Sequence, residues 1–141
     1  MKRIFLAILF LGLIVSCDQN SPKRNNPYLP SYNFSAILNL NLPLYSELNS
    51  NMVAKRITIE GDIDIVIMKV GGTDYRAFNG NCPNQAPTSC SRLTIEGLYA
   101  KCGCEDNYKY SMFDGIGANA QYTMVPYRVE ALGGNQIRVY N

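Results

Sequence analysis

Five cysteines, a few carboxylates and no histidine set the chemistry available to this chain. Cys102-Gly-Cys104 is followed at once by Glu105 and Asp106, Cys82 and Cys90 bound a polar, proline-containing stretch, and Cys17 stands near the start. Cysteines so placed on two loops suit either of two chemistries: thiolates that hold a metal or cluster, or thiols that pair across the loops as disulfides. The missing histidine removes imidazole acid–base catalysis, Ser-His-Asp triads and His-ligated zinc or iron. Gly71-Gly72 and Gly115-Ile116-Gly117 lack the helix and lysine of a phosphate-cradling loop. Glu60, Asp62 and Asp64 could surround a cation, but the interleaved Ile63 and Ile65 predict the wet face of a strand. The ten tyrosines are expected to be half-buried strand residues. Neither loop has a Cys-x-x-Cys pattern or a helix terminus to lower a thiol pKa, which weakens a thiol–disulfide oxidoreductase reading.

Met1-Lys2-Arg3 opens a run of apolar and glycine positions, 4–15, that ends in Ser16 and Cys17. This has the charged start and short apolar core of a secretory signal and is too short for a permanent membrane span. Ile14-Val15-Ser16-Cys17 resembles the bacterial lipobox, whose cysteine receives a diacylglyceryl group, and Leu13-Ile14-Val15 does not offer the small-x-small pattern of an ordinary cleavage site. The expectation is a signal peptide over 1–16, a lipid on Cys17, and a cell-envelope lipoprotein anchored to a membrane without crossing it. Loss of Lys2 and Arg3 leaves 11 basic residues against 11 acidic ones, so no charge excess remains to attract nucleic acid. Residues 17–31, polar and rich in proline, read as a tether, and 32–141 as one small domain that covalent staples would help.

The elements that must position the cysteines are strands. Period-two alternation dominates, and no segment of the mature chain sustains a helical stripe over three turns. Strands are predicted at 32–42, 53–60, 63–70 and 75–78, with an irregular stretch at 43–51. A short hairpin joins 93–95 to 98–101 through Glu96-Gly97, and Gly133-Gly134-Asn135 closes a last hairpin between "YRVEAL" and "QIRVY". All four remaining cysteines fall in two loops that interrupt this meander, 79–91 and 102–107.

The order of these parts resembles the Rieske iron–sulfur domains. That family carries Cys-x-His in a first loop and Cys-x-x-His in a second, then an aromatic-Asp-Leu strand ending in glycine, and a closing hairpin. Here "AFNGNCPN" is similar to the first loop, "CGCED" to the second, "YSMFDG" to the strand and "VPYRVEALGGNQIRVYN" to the hairpin, which together cover about residues 75–141. The resemblance implies an all-β fold, a Rieske-like antiparallel β-sandwich with two cysteine-bearing loops. It places Cys82, Asn84, Cys102 and Glu105 at the positions of the cluster ligands, with Asp106 replacing Glu105 if a one-residue insertion before Tyr108 is placed earlier.

The departure lies at both histidines. A Rieske [2Fe-2S] cluster needs two neutral imidazoles on one iron, whereas asparagine is a poor ligand and a carboxylate is harder and more negative. A lipobox signal without an Arg-Arg pair also implies export as an unfolded chain, which cannot carry a cluster built in the cytoplasm. No cofactor or metal is therefore expected. Cytochrome-complex members of the family add one cysteine to each loop and join the two as a disulfide; Cys104 matches one, and Cys90 the other, displaced by the insertion "QAPTS". Cys102 and Cys104 are too close to bond each other, so each should reach the other loop, which leaves two connectivities. The resemblance favours Cys90 with Cys104 and Cys82 with Cys102. The reading is a membrane-anchored lipoprotein serving as a disulfide-stapled structural or binding module rather than an enzyme. The alternative is a ferredoxin-like [2Fe-2S] electron-transfer protein with non-histidine ligands.

Overall fold

The computed structural model describes residues 26–104 and 107–141. The predicted signal peptide, Cys17, Glu105 and Asp106 lie outside the described residues. Among the described residues nine strands follow in order: β1 (Ser35–Asn39), β2 (Ala54–Ile59), β3 (Ile63–Gly71), β4 (Asp74–Asn79), β5 (Thr94–Glu96), β6 (Tyr99–Lys101), β7 (Lys109–Ser111), β8 (Pro126–Leu132) and β9 (Gln136–Tyr140), with one 3₁₀ turn at Ser46–Asn49. Every pairing is antiparallel. Six strands form a sheet in the order β1-β9-β8-β4-β3-β2, and β5-β6-β7 form a second sheet. The fold is an all-β antiparallel sandwich with two cysteine-bearing loops. Among the described residues no helix is long and apolar enough to cross a membrane.

Strand β3 explains how the layers stack. Its first six residues are all buried, which a one-faced strand would not allow. Ile63, Ile65 and Ile67 face a core with Leu38, Leu48, Ile57, Ile137 and Val139, while Val66 and Met68 face a second core with Phe78, Leu93, Tyr110, Met112 and Met124. Each fully buried aliphatic or aromatic side chain of this kind contributes about 1.5–3 kcal/mol. The second core lies under the small sheet, and both Cys82 and Cys102 belong to it. The β2–β3 hairpin turns through Gly61 and Asp62, whose φ angles of 82° and 56° are the left-handed pair that a tight hairpin uses.

Four local expectations need correction. Asp64 is not on a wet face: it is only 4% exposed, accepts a hydrogen bond from Thr58 Oγ1 at 2.5 Å, and pairs with Arg92 Nε at 3.1 Å. The reason is that loop residues cover the second face of β3, where Asp62 alone of the two aspartates stays exposed. Tyr110 is wholly buried rather than half-buried. The strand predicted through "YSMFDG" ends at Ser111, because Ser111 O accepts the Gly115 N–H at 2.8 Å and Ser111 Oγ accepts the Phe113 N–H, which turns the chain. Residues 26–31, assigned by composition to the tether, lie against the domain: Leu29 is buried, Asn26 Nδ2 donates to Pro83 O at 2.6 Å, and the Tyr28 ring meets Tyr122 edge-on.

Gly80 joins β4 to the first cysteine loop in direct contact with β3. Its N–H donates to Asp64 O at 2.7 Å, and a Cβ there would lie 2.7 Å from Asp64 Cβ and 2.8 Å from the Asp64 carbonyl carbon. Gly80→Ala should therefore lower stability by about 1–3 kcal/mol in a denaturant melt, the usual cost of overpacking. Gly133→Ala, where nothing lies within 4 Å, should change it by less than about 0.5 kcal/mol. Equal stability of the two variants would contradict this packing.

Candidate functional site

The first cysteine loop is closed by a short ladder. Leu93 N–H donates to Gly80 O at 2.8 Å, Asn81 and Arg92 form a β-bridge, and Cys82 N–H donates to Ser91 O at 2.7 Å. Ser91, buried, holds the loop's inner turn through Oγ, which donates to Thr88 O at 2.8 Å. Arg92 pins the foot of the loop to the buried carboxylate of Asp64. The second loop is tied by Cys102 N–H to Tyr108 O at 2.9 Å and by Asn107 N–H to Cys104 O at 3.1 Å.

The two loops touch backbone to backbone at Gly103. A Cβ on Gly103 would stand 2.7 Å from Cys90 O, so a residue without a side chain is what lets the loops close. Two disulfides then join them. Cys82 bonds Cys102 with Cα atoms 5.4 Å apart, and Cys90 bonds Cys104 with Cα atoms 5.2 Å apart, the pairing that the family resemblance implies. Their sequence separations, 20 and 14, put each on the order of 3 kcal/mol by loop-closure entropy. The loops interleave, so the two contributions are not independent.

Asn84 sits where the resemblance places a histidine ligand, and its amide is fully engaged. Its Nδ2 donates to Tyr110 OH at 2.6 Å and to Tyr122 O at 2.9 Å, and its Oδ1 accepts the Tyr122 N–H at 2.9 Å. Tyr110 OH also lies 4.0 Å from Cys82 Sγ, so the half-buried amide, the buried phenol and the inner disulfide form one connected group. These residues do not fit an iron–sulfur centre. The two candidate sulfur ligands are bonded to each other, and the third candidate ligand holds the backbone of Tyr122. Glu105 and Asp106, the candidates for the fourth position, lie outside the described residues. Among the described residues no three His, Cys, Asp or Glu side chains gather in a group that could hold a metal ion.

The environment of the outer disulfide was not visible in the sequence. Gln85 Nε2 donates to Cys104 Sγ at 2.6 Å, and Thr88 Oγ1 lies 3.3 Å from Cys90 Sγ. Both residues belong to "QAPTS", which sequence reasoning treated as inserted spacing between Asn84 and Cys90. Tyr110 and Tyr122 were missed as partners of Asn84 because they are 26 and 38 residues away from it.

No protein-family model matches the sequence, and no curated protein matches it. Solved structures are similar to it. The apo form of a quaternary ammonium Rieske monooxygenase is 17% identical with a TM-score of 0.50, covering 67% of this chain and 30% of that one. The ferredoxin of carbazole 1,9a-dioxygenase from Nocardioides aromaticivorans IC177 is 16% identical with a TM-score of 0.45, over 67% of this chain and 91% of that one. A complex of reduced oxygenase and oxidised ferredoxin in carbazole 1,9a-dioxygenase gives 18% identity and a TM-score of 0.46, over 64% of this chain and 82% of the other. The likeness to the monooxygenase supports a Rieske-like β-sandwich.

The bonds of Asn84 generate a prediction. Asn84→Ala leaves Tyr110 OH and both backbone groups of Tyr122 without these partners, and it should cost about 1–3 kcal/mol in the metal-free protein. Amide exchange at Tyr122 should accelerate with it. An unchanged melt and unchanged Tyr122 protection would show that Asn84 is not a structural latch.

Proposed function

We propose that this chain is a lipid-anchored, disulfide-stapled module with a Rieske-like fold that carries no cluster and acts through structure or binding rather than electron transfer. The observation that carries the reading is the Cys82–Cys102 bond: the two sulfurs at the family's ligand positions are joined to each other and buried, with neither cysteine exposed. The absence of histidine from the sequence and the engagement of Asn84 with Tyr122 support it independently.

The anchor is proposed at Cys17 after removal of 1–16, on the strength of Ile14-Val15-Ser16-Cys17. Cys17 precedes Asn26 by nine residues, which span at most about 30 Å even when fully extended. Asn26 is bonded to Pro83 O, beside the first cysteine loop. A lipid on Cys17 would therefore tether the domain through a segment that joins it beside the first cysteine loop.

The full chain, purified anaerobically, should be colourless and contain far less than one iron or acid-labile sulfide per chain. About two of each, with visible absorption that disappears in Cys82→Ser, would restore the ferredoxin-like alternative. Separately, a fatty-acid analogue supplied to the bacterial host should label the wild-type chain and spare Cys17→Ala. Equal labelling of both would remove the anchor from the proposal.

A further inference from the structure

The two staples differ in everything that governs thiol–disulfide exchange. Cys82 and Cys102 are wholly buried in the second core with Tyr110, Met112 and Met124. Cys90 is exposed and Cys104 half-buried, on the rim of the paired loops. Tyr110 OH lies 4.0 Å from Cys82 Sγ, whereas the outer bond has closer side-chain donors: Gln85 Nε2 at 2.6 Å from Cys104 Sγ, and Thr88 Oγ1 at 3.3 Å from Cys90 Sγ and 3.9 Å from Cys104 Sγ. Exchange requires a line of access to one sulfur and stabilisation of the charge that develops on the other. The inner bond offers no access. The outer bond offers both requirements, on different sulfurs.

We propose that Cys90–Cys104 is a thiol–disulfide exchange site that a dithiol reductant opens while Cys82–Cys102 stays closed, a proposal that rests on the stapled reading above. A reductant thiolate attacks Sγ of the exposed residue Cys90, the Cys90–Cys104 bond breaks, and its electron pair leaves on Cys104 Sγ, which then takes a proton from solvent. Gln85 N–H steadies that leaving thiolate. The second thiol of the reductant, deprotonated to solvent, attacks the reductant's own sulfur in that mixed disulfide, closes the reductant's disulfide and releases the Cys90 thiolate, which is protonated in turn. In sum one dithiol is oxidised to a disulfide and one protein disulfide is reduced to two thiols.

The consequence is confined to one segment. Cys82 N–H to Ser91 O, the Asn81–Arg92 bridge and the Thr88–Ser91 hydrogen bonds do not depend on the outer bond, so its reduction uncouples the 85–90 rim from the second loop while the base of the first loop stays closed. Pro87, Thr88 and Ser89 of that segment line a surface groove of about 520 Å³ together with Asp62, Asp64 and Arg92. Reduction therefore loosens part of the lining of a groove to which β3 contributes Asp64. The site is a switchable edge on an otherwise locked domain.

The test uses the full chain in detergent, alkylated under native conditions before and during exposure to dithiothreitol, with each cysteine followed by mass spectrometry. Before reductant, the four loop cysteines should show no free thiol; free thiols or bound iron at that stage would defeat the stapled reading itself. During reduction, Cys90 and Cys104 should be alkylated at least about tenfold sooner than Cys82 and Cys102. Loss of both disulfides together, or of the inner one first, would overturn the exchange site while leaving the stapled reading intact. With a monothiol such as glutathione, the trapped mixed disulfide should be found on Cys90, and an adduct on Cys104 would contradict the direction of attack. Gln85→Leu, which removes the donor and keeps the bulk, should slow outer reduction by roughly threefold or more. An unchanged or faster rate would remove Gln85 from the mechanism.

Discussion

The constraint on which the rest of this structure depends is the bond between Cys82 and Cys102, buried in the smaller of two cores. It fixes the first loop, which continues from β4, to the second, which links β6 to β7. The small sheet is thereby held against β3 and β4 by a covalent link as well as by Val66, Met68 and Phe78. Small domains bury a limited fraction of their surface, and a staple that removes entropy from the unfolded chain replaces area the core does not have. Gly103 and Gly80 serve this one junction: the first lets the loops meet at Cys90 O, and the second lets the first loop leave β4 against Asp64.

The two loops are held by sulfur–sulfur bonds and by side-chain amide contacts. The sulfurs of Cys82 and Cys102 form a neutral, apolar cystine, which suits an enclosure of Tyr110, Met112 and Met124 better than two unpaired thiolates would. Asn84 supplies further cohesion by pairing with both backbone groups of Tyr122, a bond pattern for which a neutral amide has both the donor and the acceptor. The charged pair Asp64–Arg92 then anchors the loop from below, with the arginine largely in solvent and the carboxylate buried and backed by Thr58. Polar groups beside the inner disulfide and at the foot of the first loop thus find partners within the protein.

Much of the fold was legible in the sequence because its cues are local. Alternation placed β8 and β9 to within a residue, and the Gly133-Gly134-Asn135 turn between them followed from turn chemistry. The continuous apolar character of β3 was harder to read, since Asp64 interrupts it; its burial depends on Thr58 across the hairpin and on Arg92 from a distant loop. The partners of Asn84 and the donors around Cys104 were invisible for the same reason. They are contacts between loops, and neither periodicity nor spacing carries information about which loop residues face each other. The cysteine pairing was recovered from the resemblance, which supplied the loop-to-loop geometry that spacing lacks. Ending the aromatic strand at Ser111 rather than Gly115 followed from side-chain and backbone bonds that only the folded turn reveals.

The central claim is that the sulfurs at the family's cluster positions are bonded to each other in the working protein. Its most direct test is nuclear magnetic resonance of the full chain labelled with ¹³C at cysteine Cβ, purified anaerobically without added reductant. The account predicts sharp, diamagnetic Cβ resonances for Cys82 and Cys102 in the disulfide range, unchanged between anaerobic and aerated samples. Resonances in the thiol range, or signals broadened away by a nearby paramagnetic iron centre, would contradict it.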